Sequence, residues 1–231
     1  MSTPEAPIYV YELPVRIWHS INALAIVVLA VSGYLIAEPL ASPSGEASEH
    51  FLMGYIRFAH FSAGYILAIG LIARLYWAYA GNEHARQIFL PPLLSAHFWD
   101  GVLCEIRWYC FLEKQPRHYI GHNPLAILAM HFIFVWGVLF MIATGFALYG
   151  EGEGQGSWQY LLFSSWLLPL FGDSQTLHTW HHLVMWFIVC FVLIHVYVAI
   201  REEKLSGQSM LSTIVTGWRS FKDDKPIDDA Q

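Results

Sequence analysis

The apolar positions of this chain do not recur at the 3.6-residue period of a half-buried surface helix. They fill four long stretches, approximately Ile17–Ile36, Ile56–Tyr79, Pro124–Leu148 and Leu177–Ile200. Each is long enough to cross a hydrocarbon core about 30 Å thick, which takes roughly 20 mostly apolar residues. Four buried helices of a soluble core would need long amphipathic helices to cover them, and the chain has none of that length. The pattern predicts an all-α fold, an integral membrane four-helix bundle forming a single domain over residues 1–231. Two shorter segments, Phe98–Leu112 and Trp158–Phe171, mix aromatic and polar residues and read as short interfacial helices in an aromatic belt. The polar, acidic tail Lys222–Gln231 is expected to be disordered.

Composition agrees: 56% of the 231 residues are hydrophobic and 13% charged, which is not the balance of a soluble domain. The distribution of charge adds an orientation. Lys and Arg are absent from Ala37–Tyr55 and from Tyr149–His182, where Glu38, Glu46, Glu49, Glu151, Glu153 and Asp173 lie. The remaining connections carry Arg16, Arg86, Arg107, Lys114, Arg117, Arg201, Lys204, Arg219, Lys222 and Lys225. The positive-inside rule then sets both termini in the cytoplasm. Arg57 stands against the trend at the outer end of the second stretch, and Arg74 lies near its inner end, where snorkelling is cheap. With no basic start and no small-residue cleavage pattern, the first span is expected to be retained. Cys104, Cys110 and Cys190 form no C-x-x-C pair, so neither covalent haem nor a thiolate metal site is expected. No nucleic-acid partner is expected.

Twelve histidines change the picture, because an ionisable side chain inside a span is a functional candidate by default. His50, His84, His97, His118 and His122 fall in loops, where a solvated ring is the ordinary outcome. Within or beside the spans are His19, His60, His131, His181, His182 and His195. Helices one and three run outward and two and four return, so His60 and His181 share the outer depth and His19 and His195 the inner one. His195 follows His181 by fourteen residues, roughly 21 Å down a helix and within about 40° of the same face. His182 lies about 140° away from His195 and is the poorer ligand candidate. Each depth-matched pair suits the two axial positions of a haem iron, with no position left for oxygen, which is electron-transfer chemistry. His131 reads better as a hydrogen-bonding residue between helices. Gly33, Gly64, Gly70, Gly137 and Gly145 offer relief for a porphyrin edge or, equally, for close helix packing. A zinc or copper transporter would add acidic or thiolate ligands within the spans, and a plain membrane anchor would bind no haem.

The segments Pro14-Val-Arg-Ile-Trp-His19, Met53-Gly-Tyr-Ile-Arg-Phe-Ala-His60-Phe, Arg74-Leu-Tyr-Trp-Ala78, Ile120-Gly-His-Asn-Pro124, Thr144-Gly-Phe-Ala-Leu-Tyr149, Trp180-His181 and His195-Val-Tyr-Val-Ala-Ile-Arg-Glu-Glu203 follow one another along the chain. In this order they resemble the b-type cytochrome subunit of membrane-bound nickel–iron hydrogenases, nearly end to end. The resemblance implies two haem b groups ligated by His19, His60, His181 and His195. It also implies hydrogenase small and large subunits on the periplasmic side that hold the catalytic metals, and quinone as electron acceptor. The subunit would have no catalytic residues of its own, and a dimer of the whole complex is compatible. The similar gamma subunit of formate dehydrogenase uses an asparagine at quinone in the corresponding loop, which points to Asn123. A cytochrome serving another periplasmic dehydrogenase or reductase fits the same pattern. Arg57 would neutralise a propionate of the outer haem or touch lipid phosphate.

Overall fold

In hydrocarbon a peptide chain has only its own N–H and C=O groups with which to satisfy its hydrogen bonds, so an apolar stretch closes into a helix. The computed structural model describes residues 6–41, 46, 50–222 and 227–228. In chain order the elements are β1 (Ile8–Tyr9), α1 (Leu13–Ala37), α2 (Leu52–Ala80), α3 (Glu83–Arg86), α4 (Ala96–Tyr109), β2 (His118–Tyr119) and α5 (Pro124–Ala129). A π-helical turn (Met130–Val135) leads into α6 (Trp136–Glu153); a second (Tyr160–Ser164) leads into α7 (Ser165–Phe171). They are followed by α8 (Ser174–Leu205), α9 (Leu211–Thr216), β3 (Trp218–Arg219) and β4 (Ile227–Asp228). The fold is all-α, dominated by four long helices. Leu13–Ala37, Leu52–Ala80, Pro124–Glu153 and Ser174–Leu205 are long and apolar enough to cross a membrane. Each apolar stretch of the sequence lies within one of them.

Two compact units are described separately. The first comprises the chain through His19, Ala73–Trp136 and the chain from Phe191. Here Ser95 caps α4 by accepting from the Phe98 N–H, and the helix buries Phe98, Gly101, Val102, Glu105 and Trp108, a 3-4 spacing that makes one face. Phe98 and Val102 cluster with Tyr119 and Ile127, while Trp99, Leu103 and Ile106 remain exposed. The expected belt helix is therefore fastened along one side. Trp108 Nε1 donates to Glu202 Oε1 at 2.8 Å, and Arg201 pairs with Glu202 at 3.1 Å while lying over the rings of Trp108, Tyr109 and Phe111. β1 pairs antiparallel with β3, and β2 pairs parallel with β4.

Three expectations change in this unit. Ile227 and Asp228, in the tail read as disordered, form β4 because Asp228 pairs with Arg117 at 3.2 Å and His97 at 3.0 Å; residues 223–226 and 229–231 lie outside the described ones. His84 and His118, read as solvated loop histidines, are buried; His118 stacks on Phe221 and engages the Ser206 carbonyl. Arg74 does not snorkel: it is 3% exposed, because the segment Glu83–Phe89 folds back and covers it with the Ala85 carbonyl and the Phe89 ring.

The second unit comprises Ser20–Ile72 and Gly137–Cys190. The Trp158–Phe171 segment packs back on α6: Phe146 meets Trp158 and Phe163 at 5.4 Å, and Ser164 Oγ donates to the Ala147 carbonyl at 2.6 Å. Ala147, Leu167 and Leu177 form its buried centre.

Candidate functional site

Within the second unit His60 sits about two turns into α2 and His181 about two turns into α8. His60 Nδ1 lies 2.9 Å from Ser32 Oγ on α1, and His181 Nδ1 lies 2.7 Å from Thr144 Oγ1 on α6. Each hydroxyl has one proton and spends it on its own helix: Ser32 donates to the Val28 carbonyl at 2.5 Å and Thr144 to the Phe140 carbonyl at 2.7 Å. With that proton spent on the helix, each hydroxyl can accept from the imidazole, the tautomer with hydrogen on Nδ1 and a lone pair on Nε2. That is the state of a metal-ligating histidine, whose other nitrogen is held by an outer partner.

Both hydroxyl residues are followed by glycine. A Cβ added at Gly33 would meet His60 Cε1 at 3.2 Å and Met185 Sδ at 3.8 Å, and one added at Gly145 would meet His181 Cε1 at 3.4 Å. The pattern Ser32-Gly33 and Thr144-Gly145 thus does two jobs at each ring, orienting one edge and leaving room for the other. Sequence reasoning had the glycines as relief and missed the hydroxyls, whose signal was this repeated hydroxyl–glycine pair. Gly137 packs on Ile188. Removing the acceptors, Ser32→Ala together with Thr144→Val, is expected to weaken haem retention at this pair by roughly 10–100-fold, read as protohaem per chain after a chase with a haem-binding apoprotein.

Within the first unit the rings of His19 (α1) and His195 (α8) have centroids 6.5 Å apart, tilted by 48°. A metal held about 2 Å from one nitrogen of each of two imidazoles puts their centroids about 6 Å apart, so the spacing fits bis-histidine ligation of an iron between them. Phe191, one turn earlier, stacks against the His195 ring. The two imidazole pairs, one with its donors fixed and the other at ligation spacing, fit haem.

Other histidines are committed elsewhere. His182 Nε2 accepts from Trp186 Nε1 at 3.0 Å. His131 has Nδ1 at 3.0 Å from the Ile88 carbonyl and Nε2 accepting from Trp136 Nε1 at 3.3 Å. Arg57 is exposed.

Asn123 is buried and busy: Oδ1 accepts from the Ala126 N–H at 2.7 Å, capping α5, and Nδ2 donates to Glu105 Oε2 at 3.0 Å. Glu105 is 1% exposed and its Oε1 has no partner. Burial, then the charge of Glu202, pushes Glu105 from its ordinary 4.5 up to about 8. The folded protein therefore keeps a proton that the unfolded chain releases between those values, and stability falls as pH rises through that window. Glu105→Gln is expected to raise the melting temperature relative to the parent increasingly from pH 5 to pH 8, by about 1.4 kcal/mol per unit at most, in thermal scans of the detergent-solubilised chain.

Comparison with known proteins gives the family. Residues 10–217 match the family model described as prokaryotic cytochrome b561. A relative from Azotobacter chroococcum is 59% identical over 222 residues, covering 96% of this chain and 92% of its own. One from Cupriavidus necator is 59% identical over 215 residues, covering 93% and 88%, and one from Escherichia coli K12 is 48% identical over 220 residues, covering 93% and 91%. The first two are named probable Ni/Fe-hydrogenase B-type cytochrome subunit, and the third probable Ni/Fe-hydrogenase 1 B-type cytochrome subunit. With the match running over residues 10–217 and so through all four long apolar helices, the chain belongs to the prokaryotic cytochrome b561 family, a family of haem b proteins.

Proposed function

We propose that this chain is the membrane-anchoring dihaem cytochrome b of a hydrogen:quinone oxidoreductase. It accepts electrons from the small subunit of a periplasmic nickel–iron hydrogenase and passes them across the bacterial inner membrane to quinone. What carries the reading is that His181 and His195 lie on one helix, α8, with the rings of His19 and His195 at ligation spacing and the Nδ1 atoms of His60 and His181 each beside a hydroxyl. The names of the relatives supply the hydrogenase. Haem b held by each histidine pair would supply a one-electron carrier suited to transfer rather than oxygen chemistry.

The residues divide the work. His60 and His181 hold the outer group and His19 and His195 the inner one. Ser32 and Thr144 keep the outer imidazoles aimed, and Phe191 braces His195. The basic residues of the cytoplasmic connections hold both termini inside. Quinone reduction takes two protons as well as two electrons. The pocket belongs beside the inner pair, where Asn123 fixes the buried, protonated Glu105.

The test uses membranes carrying the chain with its partner subunits. Protohaem per chain is counted by pyridine haemochrome, and reduction by hydrogen is followed in the visible spectrum. Two haems that reduce under hydrogen and reoxidise on adding quinone are expected. Two haems indifferent to hydrogen would assign the chain to another dehydrogenase, and none in folded protein would leave only an anchor.

A further inference from the structure

Two guanidinium groups are buried in the first unit without a carboxylate. Arg74 is 3% exposed and Arg219 2%. The ion pairs of arginine among the described residues involve Arg117 and Arg201 instead. Arg74 donates through Nη2 to the Ala85 carbonyl and lies 5.4 Å over the Trp18 ring, next to His19, while its Nε and Nη1 have no partner among the described residues. Arg219 donates through Nη1 to the carbonyls of Tyr119 at 2.8 Å and Gly121 at 2.6 Å and engages the Tyr11 side chain, and its Nε has no partner among the described residues. Gly121 presents that carbonyl from φ +84°, a conformation that side-chain-bearing residues rarely adopt.

The two cations converge on one place. Tyr11 hydrogen-bonds His122 Nδ1 at 3.1 Å, and both arginines act on Tyr11 and on His122. Burial, then the charges of Arg219, His195, Arg74 and His19, pulls His122 down to about 3. Of the carboxylates on the packed elements, Glu203 acts on Arg219, and Glu105 and Glu202 line a small cavity with it. Glu12 Oε2 accepts from Trp77 Nε1 and the Asn82 N–H, and Glu203 Oε2 accepts from the N–H groups of Met210 and Leu211. A guanidinium cannot shed its proton as a buried lysine can, so a buried one needs an anion.

We propose that Arg74 and Arg219, with the Tyr11 hydroxyl, form a dicarboxylate-binding site for the two propionates of the haem held by His19 and His195. This rests on the reading of that pair as a haem site. The chemistry matches in number and kind: two carboxylates leave one edge of the porphyrin and must be neutralised at the membrane boundary, and guanidinium meets carboxylate with paired, charge-assisted hydrogen bonds. The cations also favour the reduced haem, whose iron carries one positive charge fewer, and so raise its potential.

The experiment is a potentiometric titration of the hydrogenase complex in native membranes, following the haem bands of the parent, Arg74→Gln, Arg74→Lys and Arg219→Gln. The inner component is identified as the one missing in His19→Ala. Arg74→Gln is expected to lower the midpoint of that component by about a tenfold change in its reduction equilibrium, about 59 mV for one electron, while Arg74→Lys keeps most of it and the outer component stays put. Redox-difference infrared spectra of haem labelled with carbon-13 at its carboxylates are expected to show the labelled bands shifted in Arg74→Lys. An unchanged inner midpoint in both Gln variants overturns the proposal, as do unshifted labelled bands, which would assign the cations to lipid phosphate. If Arg74→Gln does not fold, Arg219→Gln and Arg74→Lys decide by the same readings. An unchanged haem count in His19→Ala would instead overturn the inner haem site itself.

Discussion

His60→Ala is expected to lower protohaem from two to one per chain and to stop hydrogen-driven quinone reduction in membranes, while hydrogen-driven reduction of a soluble dye by the partner subunits continues. The loss should exceed the roughly 10–100-fold typical of removing an outer-shell partner, since a ligand is deleted rather than loosened. His182→Ala is the control. That ring is adjacent in sequence to His181 but accepts from Trp186, so its variant is expected to keep both haems. Equal loss in the two variants would sink the assignment of His181 as the partner of His60. The assay separates electron entry from electron exit because the dye takes electrons before the membrane subunit is reached.

Gly33→Val is expected to empty the same site without unfolding the chain. The first added carbon would stand 3.2 Å from His60 Cε1, tighter than ordinary contact, and valine adds two further methyl groups on a side chain with little rotamer freedom in a helix. The ring must tilt away from Ser32 Oγ, its hydrogen-bond acceptor. Overpacking of this kind costs about 1–3 kcal/mol, which a four-span bundle tolerates and a ligand geometry does not. Circular dichroism is expected to keep the helical spectrum while the haemochrome assay shows one haem lost. Gly137→Ala, where the added carbon meets Ile188 at an ordinary 3.5 Å, is expected to change neither. Two haems in Gly33→Val would mean that His60 is not held as a ligand in this orientation.

The long apolar helices are legible in the sequence, and the histidine pairing is proposed from it, because each follows from a single regularity. Hydrophobic length marks a crossing whatever its neighbours, and helical pitch relates His181 to His195 without tertiary information. The hydroxyls were not legible because Ser32 and Thr144 make the bond any span hydroxyl makes, to their own preceding turn. Only the neighbouring helix reveals that the same oxygen receives a histidine proton. Arg74 was misread for a related reason. Its position near a span end invites snorkelling, and the cover that buries it comes from a four-residue helix, α3, too short to announce itself. His84 and His118 were lost to the same folding-back of connections, and β4 was hidden because two ion pairs, not hydrophobicity, hold Asp228 in place.

The π turn at Met130–Val135 bears on how this chain can change in length. A wide turn is the form a helix takes when it has gained one residue and kept both flanks in their old orientation. The surplus can be returned at no cost in register: deleting a residue there closes the turn to an ordinary one and leaves the faces of α5 and α6 where they were. The α-helix that runs unbroken from Ser174 to Leu205 has no such slack, since one residue more or fewer between His181 and His195 swings one imidazole by about 100°. Single-residue gaps and insertions among related chains are therefore expected to gather in the third span and in the loops, and to be absent from the fourth.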